Sequence, residues 1–592
     1  MGLSASILQN VWGETSGIVT ALSQEKTNGK SVHGTLLAPL LPMFLLDSPM
    51  PHGFPWGNAT DWGHDPYKDP PNTGVTRTYD FTISRGVIAP DGYQKKVLLV
   101  NGAYPGPLIE ANWGDSIVVT VHNNITDPEE GTGIHWHGFL QTYTPWEDGV
   151  PGVTQCPISP GKSFTYEFQA SLFGSSWYHA HYSGQLADGV LGPIVVYGPS
   201  KFEHGVIDIG PVLLSDWYHD DYLTIVKRML APGGSPMVYS DNTLINGKMN
   251  FDCSTVAAGD KTHCTDGAGI SKFRFQTGRT HRLRLVNTGA SGDQRFSIDD
   301  HTMTVIANDF VPIVPYETRV VTLGVGQRSD VLVRADAGGP RSSFWIRSNQ
   351  TRCSLARQPN AVAALYYDQA DTDSVPTSTP WPVPDQRCTN DDLARTEPLF
   401  PMPLPRPSFT KTMDIELFVN ESGVTLWSFD GQDYRGNYNA PPLLLANLGN
   451  FSFPPEWNIK DFGDNSSVRI IVNNHTPGPH PMHIHGYNFY VLHEGPGPWD
   501  GTIVRPQNPM RRDVAIVGPS GHLVVQFDSN NPGVWPFHCH TAWHASGGFF
   551  SSFLVRPDLV RQYQIPPTLA QTCRDWAAWT RTHVPDQIDS GQ

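Results

Sequence analysis

His538, Cys539 and His540 are consecutive, and His544 follows four positions later. On a strand, side chains alternate, so His538 and His540 project to one side and Cys539 to the other. One cysteine with two histidines and a weak or missing axial ligand is the trigonal arrangement of blue copper, for which zinc is the poorer choice. A copper on the Cys539 thiolate would be joined by short peptide paths to metals held by its two neighbours. Such wiring suits an enzyme that collects electrons singly at one site and spends them on a multi-electron acceptor at another.

Three further clusters carry the same signature: His135-Trp-His137, His179-Ala-His181 and His480-Pro-Met-His483-Ile-His485. Ten of the 23 histidines fall in these four motifs, which argues against chance clustering on buried strands. Each HxH pair presents two imidazoles on one strand face. Eight paired histidines suit three further ions, with positions left open for dioxygen or water.

With these motifs, their order, and the stretches WEDGVPGVTQCPI, LLSDWYH, TLINGK, HTMTVIANDFVP and GQRSDVLV, the chain resembles the multicopper oxidases, and among them the laccases of ascomycete fungi. The likeness covers roughly residues 73–592. It implies four copper ions: a type 1 copper on His480, Cys539 and His544, a type 2 copper on His135 and His483, and a type 3 pair on His137, His179, His181, His485, His538 and His540. It also places the axial position of the type 1 copper at Phe549, ten residues beyond Cys539, where a non-coordinating ring favours Cu(I) and a high potential. A slip of one position would put Phe550 there instead.

The resemblance gives Asp148 a proton-supplying role near the trinuclear cluster, and Asp241 the role of accepting a phenol proton; Asp252 or Asp260 are alternatives for the latter. His480 is expected to be the ligand where electrons enter. Two departures from the family pattern stand out: Tyr487 occupies the place of a usual histidine, and Ala180 that of a serine. Tyr487 is expected to alter hydrogen bonding around the cluster ligands.

Positioning four strand-borne motifs requires a large β framework. The chain has 592 residues, too many for one core, and short runs rich in Val, Ile, Thr, Tyr and Phe alternate with Gly and Pro breakers. The expected fold is all-β, three cupredoxin-like Greek-key β-sandwich domains with few short helices. The boundaries expected are an N-terminal extension (1–72), domain 1 (73–205), domain 2 as spacer and substrate wall (206–370), a Pro-rich connector (371–410), and domain 3 with its tail (411–592). A helix is expected over Pro567–Arg581. His219, His263, His281 and His301, in the second domain, read as ordinary surface or hydrogen-bonded residues.

Seven cysteines less the copper ligand leave six, enough for three disulfides whose connectivity the residues themselves do not fix. The resemblance suggests Cys156–Cys573 and Cys353–Cys388, leaving Cys253–Cys264. Sequons at Asn58, Asn124, Asn349, Asn420, Asn450, Asn465 and Asn474 add to an expectation of a secreted glycoprotein. No secretory signal is evident: the apolar stretch TLLAPLLPMFLL starts at residue 35 and is broken by Pro39 and Pro42. Forty basic against 56 acidic residues, a net charge of −16, exclude nucleic acid as a partner, and no apolar run is long enough to span a membrane. The ending DSGQ resembles family ends that plug a solvent channel, with Gln592 in place of an apolar residue.

The function expected is a laccase-like oxidase that takes single electrons from phenolic or other aromatic donors and reduces dioxygen to water. The competing readings are a ferroxidase or bilirubin-oxidase-like specificity, and a copper electron-transfer protein without turnover.

Overall fold

The computed structural model describes residues 18–20, 29–42, 56, 65–68, 70–200, 205–382, 388–585 and 587–592. Six sheets pair face to face as three β-sandwiches in chain order. The first joins a seven-stranded sheet containing Thr76–Ile88 and Ser116–Asn124 to a four-stranded sheet of Ile109–Asn112, Ile134–Trp136, Gly174–Ala180 and Leu191–Tyr197. The second runs from Val206 to Tyr367 and the third from Phe409 to Val555, each a six-stranded sheet against a five-stranded one. Alternation of buried and exposed residues along Ser163–Gln169 and Ser343–Gln350 marks strands with one solvated face.

Helices are short, apart from Pro567–Thr580, which ends within a residue of the expected stop. Buried Leu569, Thr572 and Trp576 give that helix its packed face, and Cys573 ties it to Cys156 of the first sandwich. The other disulfides are Cys253–Cys264 and Cys353–Cys388, and Cys539 is the free cysteine.

Described parts of the N-terminal extension join the first sandwich. Ile18–Thr20 pairs in parallel with Thr76–Thr78, and Gly29–Lys30 with Ala103–Tyr104, so described parts of it complete the first sheet. The Leu41 N–H bonds to the Asp208 carbonyl of the second sandwich at 2.9 Å, and the Trp56 indole to the Tyr197 carbonyl at 2.8 Å. Much of the 1–72 segment lies outside the described residues. The connector carries no strand among its described residues and is held on the third domain by side-chain bonds to its carbonyls, from Asn508 to Pro398 and from Gln526 to Pro405.

Candidate metal centre

Strand register sorts the donors. In the third domain His480–Ile484 lies antiparallel to Gly533–Cys539, with Met482 opposite Cys539 and His483 opposite His538. Alternation therefore puts His480 and Cys539 on the face turned into the domain core, and His483 and His538 on the face turned away from it. In the first domain His179 lies opposite His135, so those motifs also meet face to face.

On the inward face, Cys539 Sγ lies 3.7 Å from His480 Nδ1 and 3.5 Å from His544 Nδ1, and the two nitrogens are 3.2 Å apart. This triangle of three soft or borderline donors is the size that one copper fills. His480 is held by Thr476 Oγ1, 2.8 Å from its Nε2. The Phe549 ring is 5.0 Å from that of His480 and fully buried, whereas Phe550 stacks on His538 on the other side, so the register places Phe549 beside the triangle. Burial pushes the Cys539 thiol up to about 12, so it needs a cation to become a thiolate.

His480, expected as the ligand where electrons enter, is the more enclosed of the two imidazoles. His480 is 0% exposed, enclosed by Trp427, Phe549 and Thr476, whereas His544, lifted onto the short helix Ala542–Ser546, is only partly buried. Of the two imidazoles, His544 is the one that keeps some exposed surface.

On the outward face, eight buried imidazoles from the first and third domains converge. Three close groups form: His135, His137 and His483; His137, His179 and His540; His181, His485 and His538. Seven of the eight have one ring nitrogen against an oxygen: His135 Nδ1 on the Asp148 carbonyl (2.9 Å), His483 Nδ1 on the Asp513 carbonyl (2.6 Å), His179 Nδ1 on the Ala180 carbonyl (3.0 Å), His538 Nδ1 on the Cys539 carbonyl (2.9 Å), His485 Nδ1 on the Asp148 carboxylate (3.0 Å), His137 Nε2 on the Asp513 carboxylate (3.2 Å), and His181 Nδ1 on Gln592 Oε1 (2.6 Å). An acceptor oxygen requires an N–H on that side, which leaves the other nitrogen a bare lone pair facing inward.

Several of those inward nitrogens have no protein partner among the described residues. His135, His179 and His483 Nε2 are buried and unbonded. His485 Nε2 faces His538 Nε2 at 3.1 Å with a lone pair on each, whereas His540, whose Nδ1 meets no oxygen, can donate its Nε2–H to His137 Nδ1 at 3.2 Å. Two lone pairs aimed at each other repel unless a cation sits between them, and nitrogens at ~2 Å from one shared ion are ~3.3 Å apart. Burial, aided by mutual repulsion, holds His137, His179, His181, His483, His485 and His540 well below the ordinary imidazole value, so these rings stay neutral. The donor set and its orphaned nitrogens fit a cluster of metal ions.

Two acids organise the cluster. Asp148, in the turn after Pro145–Glu147, touches His135 through its carbonyl and His485 through its carboxylate. Asp513, which the sequence reading missed, holds His483 through its carbonyl and His137 through its carboxylate. Arg328 of the second domain grips that carboxylate with both terminal nitrogens, and Arg512 grips Asp309 in turn (2.8 and 3.0 Å). All four are buried. The second domain thereby reaches His137 and His483 through Asp513. Nothing local to Asp513 in the chain signals this role, because the partners of its carboxylate are 376 and 185 residues away.

Gln592 reaches the cluster edge: its Nε2 donates to the Pro151 carbonyl (2.7 Å), which fixes Oε1 towards His181. Asp241, by contrast, accepts from the His219 N–H at 2.8 Å and lies 3.5 Å from Arg357, lining a cavity of about 340 Å³ with Tyr218. Tyr218 packs on Trp543, the neighbour of His544. Asp252 and Asp260 are spent on Ser254 and Tyr93 in the exposed Cys253–Cys264 loop. Tyr487 does not act on the cluster: its hydroxyl donates to the Asn531 carbonyl and its ring packs on Phe527 and Trp535 in the domain core. His219 pairs with Asp91, and His301 bonds Tyr367, in keeping with their expected structural roles.

Comparison with known proteins follows the same division. Multicopper oxidase family models match residues 82–201, 208–370 and 425–559. Laccase-2 of Botryotinia fuckeliana is 37% identical over 552 residues, covering 90% of this chain and 92% of the relative. Dihydrogeodin oxidase of Aspergillus terreus is 36% identical over 578 residues, covering 90% and 93%. The crystal structure of the laccase from Botrytis aclada superposes with a TM-score of 0.82 at 34% identity, covering 90% of this chain and 99% of that one.

Proposed function

The chain belongs to the multicopper oxidase family, and from that premise we propose that it is a laccase-like enzyme, oxidising phenolic or related aromatic donors with dioxygen. One observation carries the reading. Cys539 stands in a three-donor site while its immediate neighbours His538 and His540 end in two different imidazole groups. A protein that only stored or carried copper would gain nothing from joining a thiolate so directly to a multi-ion cluster.

In this reading His480, Cys539 and His544 hold one copper, His135 and His483 a second, and the two groups of three imidazoles a pair. Bound copper supplies reversible one-electron chemistry at the thiolate site and four-electron reduction of dioxygen at the cluster. The protein's own part is positional. His544, the partly exposed imidazole, offers its ring edge to a donor, and Asp241, in the cavity that Tyr218 lines, takes the phenolic proton. Phe549 would close that side of the three donors with hydrocarbon, keeping water off the Cys539 sulfur. Asp148, bonded to His485, lies where protons are consumed and supplies them. Gln592, with Ser546 Oγ on its carbonyl (3.0 Å) and Tyr438 Oη on that of Gly591 (2.9 Å), stops the channel above His181. Secretion, with glycans on some of the sequons, completes the proposal.

The test is the absorption spectrum of the copper-loaded protein together with dioxygen uptake on adding a simple phenol. An intense thiolate-to-copper band with phenol-dependent uptake supports the reading. A blue protein without uptake would make it an electron carrier, and faster turnover of Fe(II) or bilirubin than of any phenol would move its specificity.

A further inference from the structure

Tyr182 follows cluster residue His181 directly and begins a line of aromatic rings that leads away from it. Its ring stacks on Tyr438 (4.8 Å between centroids, planes within 15°), and both meet Trp576, at 6.4 and 5.8 Å. Trp576 meets Trp579 at 5.1 Å, and Trp579 lies parallel to His583 at 5.0 Å. Burial falls along the line: Tyr182, Tyr438 and Trp576 are buried, Trp579 partly so, and His583 exposed. Gly131 lets the inner rings meet, since a Cβ there would strike Tyr182 at 2.8 Å and Trp576 at 2.9 Å. The Cys156–Cys573 disulfide fixes the helix that presents both tryptophans.

Aromatic packing alone yields centroid spacings of this kind. It does not account for a line that starts at the residue after a cluster ligand and ends in solvent. Nor does it account for the outer indole's setting: Trp579 Nε1 donates to Glu129 Oε2 at 3.1 Å, a base placed for an indole proton. Trp576 Nε1 has no partner and so keeps its proton when the ring loses an electron. Tyr182 and Trp579 both line a cavity of about 640 Å³ that also holds Glu130 and Asp589.

We propose that Tyr182, Tyr438, Trp576 and Trp579 form an outlet for oxidising equivalents, a one-electron path from the copper cluster to a reductant at the surface that bypasses Cys539. The proposal rests on the oxidase reading above. It operates when dioxygen at the cluster has received fewer than its four electrons. Tyr182 then gives up one electron to the cluster and its phenolic proton to the carboxylate-lined cavity. Trp576 refills Tyr182, whose proton returns, and Trp579 refills Trp576 while its indole proton passes to Glu129. A phenol in solvent returns a hydrogen atom to the neutral Trp579 radical, and Glu129 releases its proton to water. The net change is one phenol oxidised to a phenoxyl radical and a proton, with one electron delivered to the cluster.

Copper-loaded protein reduced with fewer than four electrons per molecule, mixed with dioxygen and freeze-quenched, tests this by electron paramagnetic resonance with ring-deuterated tryptophan. An organic radical sensitive to that label is expected in the wild type. Trp579→Phe should move it onto inner rings, lengthen its life several-fold, and shift covalent oxidation seen by mass spectrometry from Trp579 to Tyr182 and Trp576, with the blue band unchanged. Glu129→Gln, which leaves every ring in place, should weaken the Trp579 signal. The outlet is overturned if no organic radical forms, or if its yield, identity and lifetime ignore Trp579→Phe and Glu129→Gln, in protein that takes up dioxygen with phenol. Absence of that uptake in the wild type overturns both the outlet and the reading on which it rests.

Discussion

The two metal-binding regions are built by opposite strategies. The thiolate site takes its three donors from one domain, on one face of a strand pair and the turn that follows it. The histidine cluster divides its eight ligands equally: four from the first domain and four from the third. Its orienting groups come from further still, with Arg328 of the second domain acting through Asp513 and Gln592 through His181. A local site inherits its geometry from strand register, whereas a shared one is only as good as the contacts between domains. The cluster should therefore fail first under any stress on domain packing, and the thiolate site should fail only with its own domain.

Direct removal of a shared element should give the largest effect. Cys539→Ser deletes both a ligand and the link to the cluster, and it should remove the blue colour and phenol-driven uptake, a loss beyond the ~10–100-fold that an outer-shell change costs. Circular dichroism should stay native, because serine fits where cysteine did. Retained phenol oxidation would break the proposed division of labour between the sites.

Asp513→Ala separates the two regions more sharply. It leaves buried Arg328 and Arg512 to share Asp309 alone, one positive charge too many, worth ~3–5 kcal/mol of stability. It also frees the imidazole of His137. Copper per molecule should fall and uptake should drop ~10–100-fold, while the thiolate band per bound thiolate-site copper keeps its shape. Equal damage to both spectra would show that the thiolate site too depends on domain packing. Replacing Cys156 and Cys573 by serine should act the same way but more weakly. The bridge joins residues 417 apart, and its loss should cost ~2–5 kcal/mol. Uptake should then fall on heating before the blue band does.

How much of this was legible in the sequence follows the same contrast. Candidate donors advertise themselves, because chemistry demands His and Cys at a strand period of two, and alternation with Pro and Gly breakers exposes the three sandwiches. The helix near the end showed through its apolar spacing. What stayed hidden is set by distance in the chain. Asp513 and Arg328 look like any acid and base, and only the folded interface makes them partners. The exposure of His544 over His480 depends on how Trp427, Phe549 and Thr476 of the same domain fold over His480, which no local pattern records. Tyr487 marks the reverse error, since a residue beside a ligand motif was given a cluster role when the turn after Ile484 carries it into the core.

The smallest effect expected distinguishes the regions by pH. Glu147 lies in the turn that presents Asp148 to the cluster, and burial pushes its carboxyl up to about 8 from an ordinary 4.5. Between those values the folded protein keeps a proton that the unfolded chain releases, so stability falls as pH rises, by at most ~1.4 kcal/mol per unit. This contribution is present in full at pH 4.5 and below and is gone above pH 8. Glu147→Gln retains an acceptor for the Glu167 N–H that now meets Oε2 (3.2 Å) but cannot ionise. Melting temperature between pH 5 and 8 should decline less steeply in the variant, and the wild-type cluster should lose its phenol-driven uptake at alkaline pH before the thiolate band changes. An identical pH slope in both proteins would mean that the turn yields elsewhere, and that the domain interface, not this acid, sets the alkaline limit of the cluster.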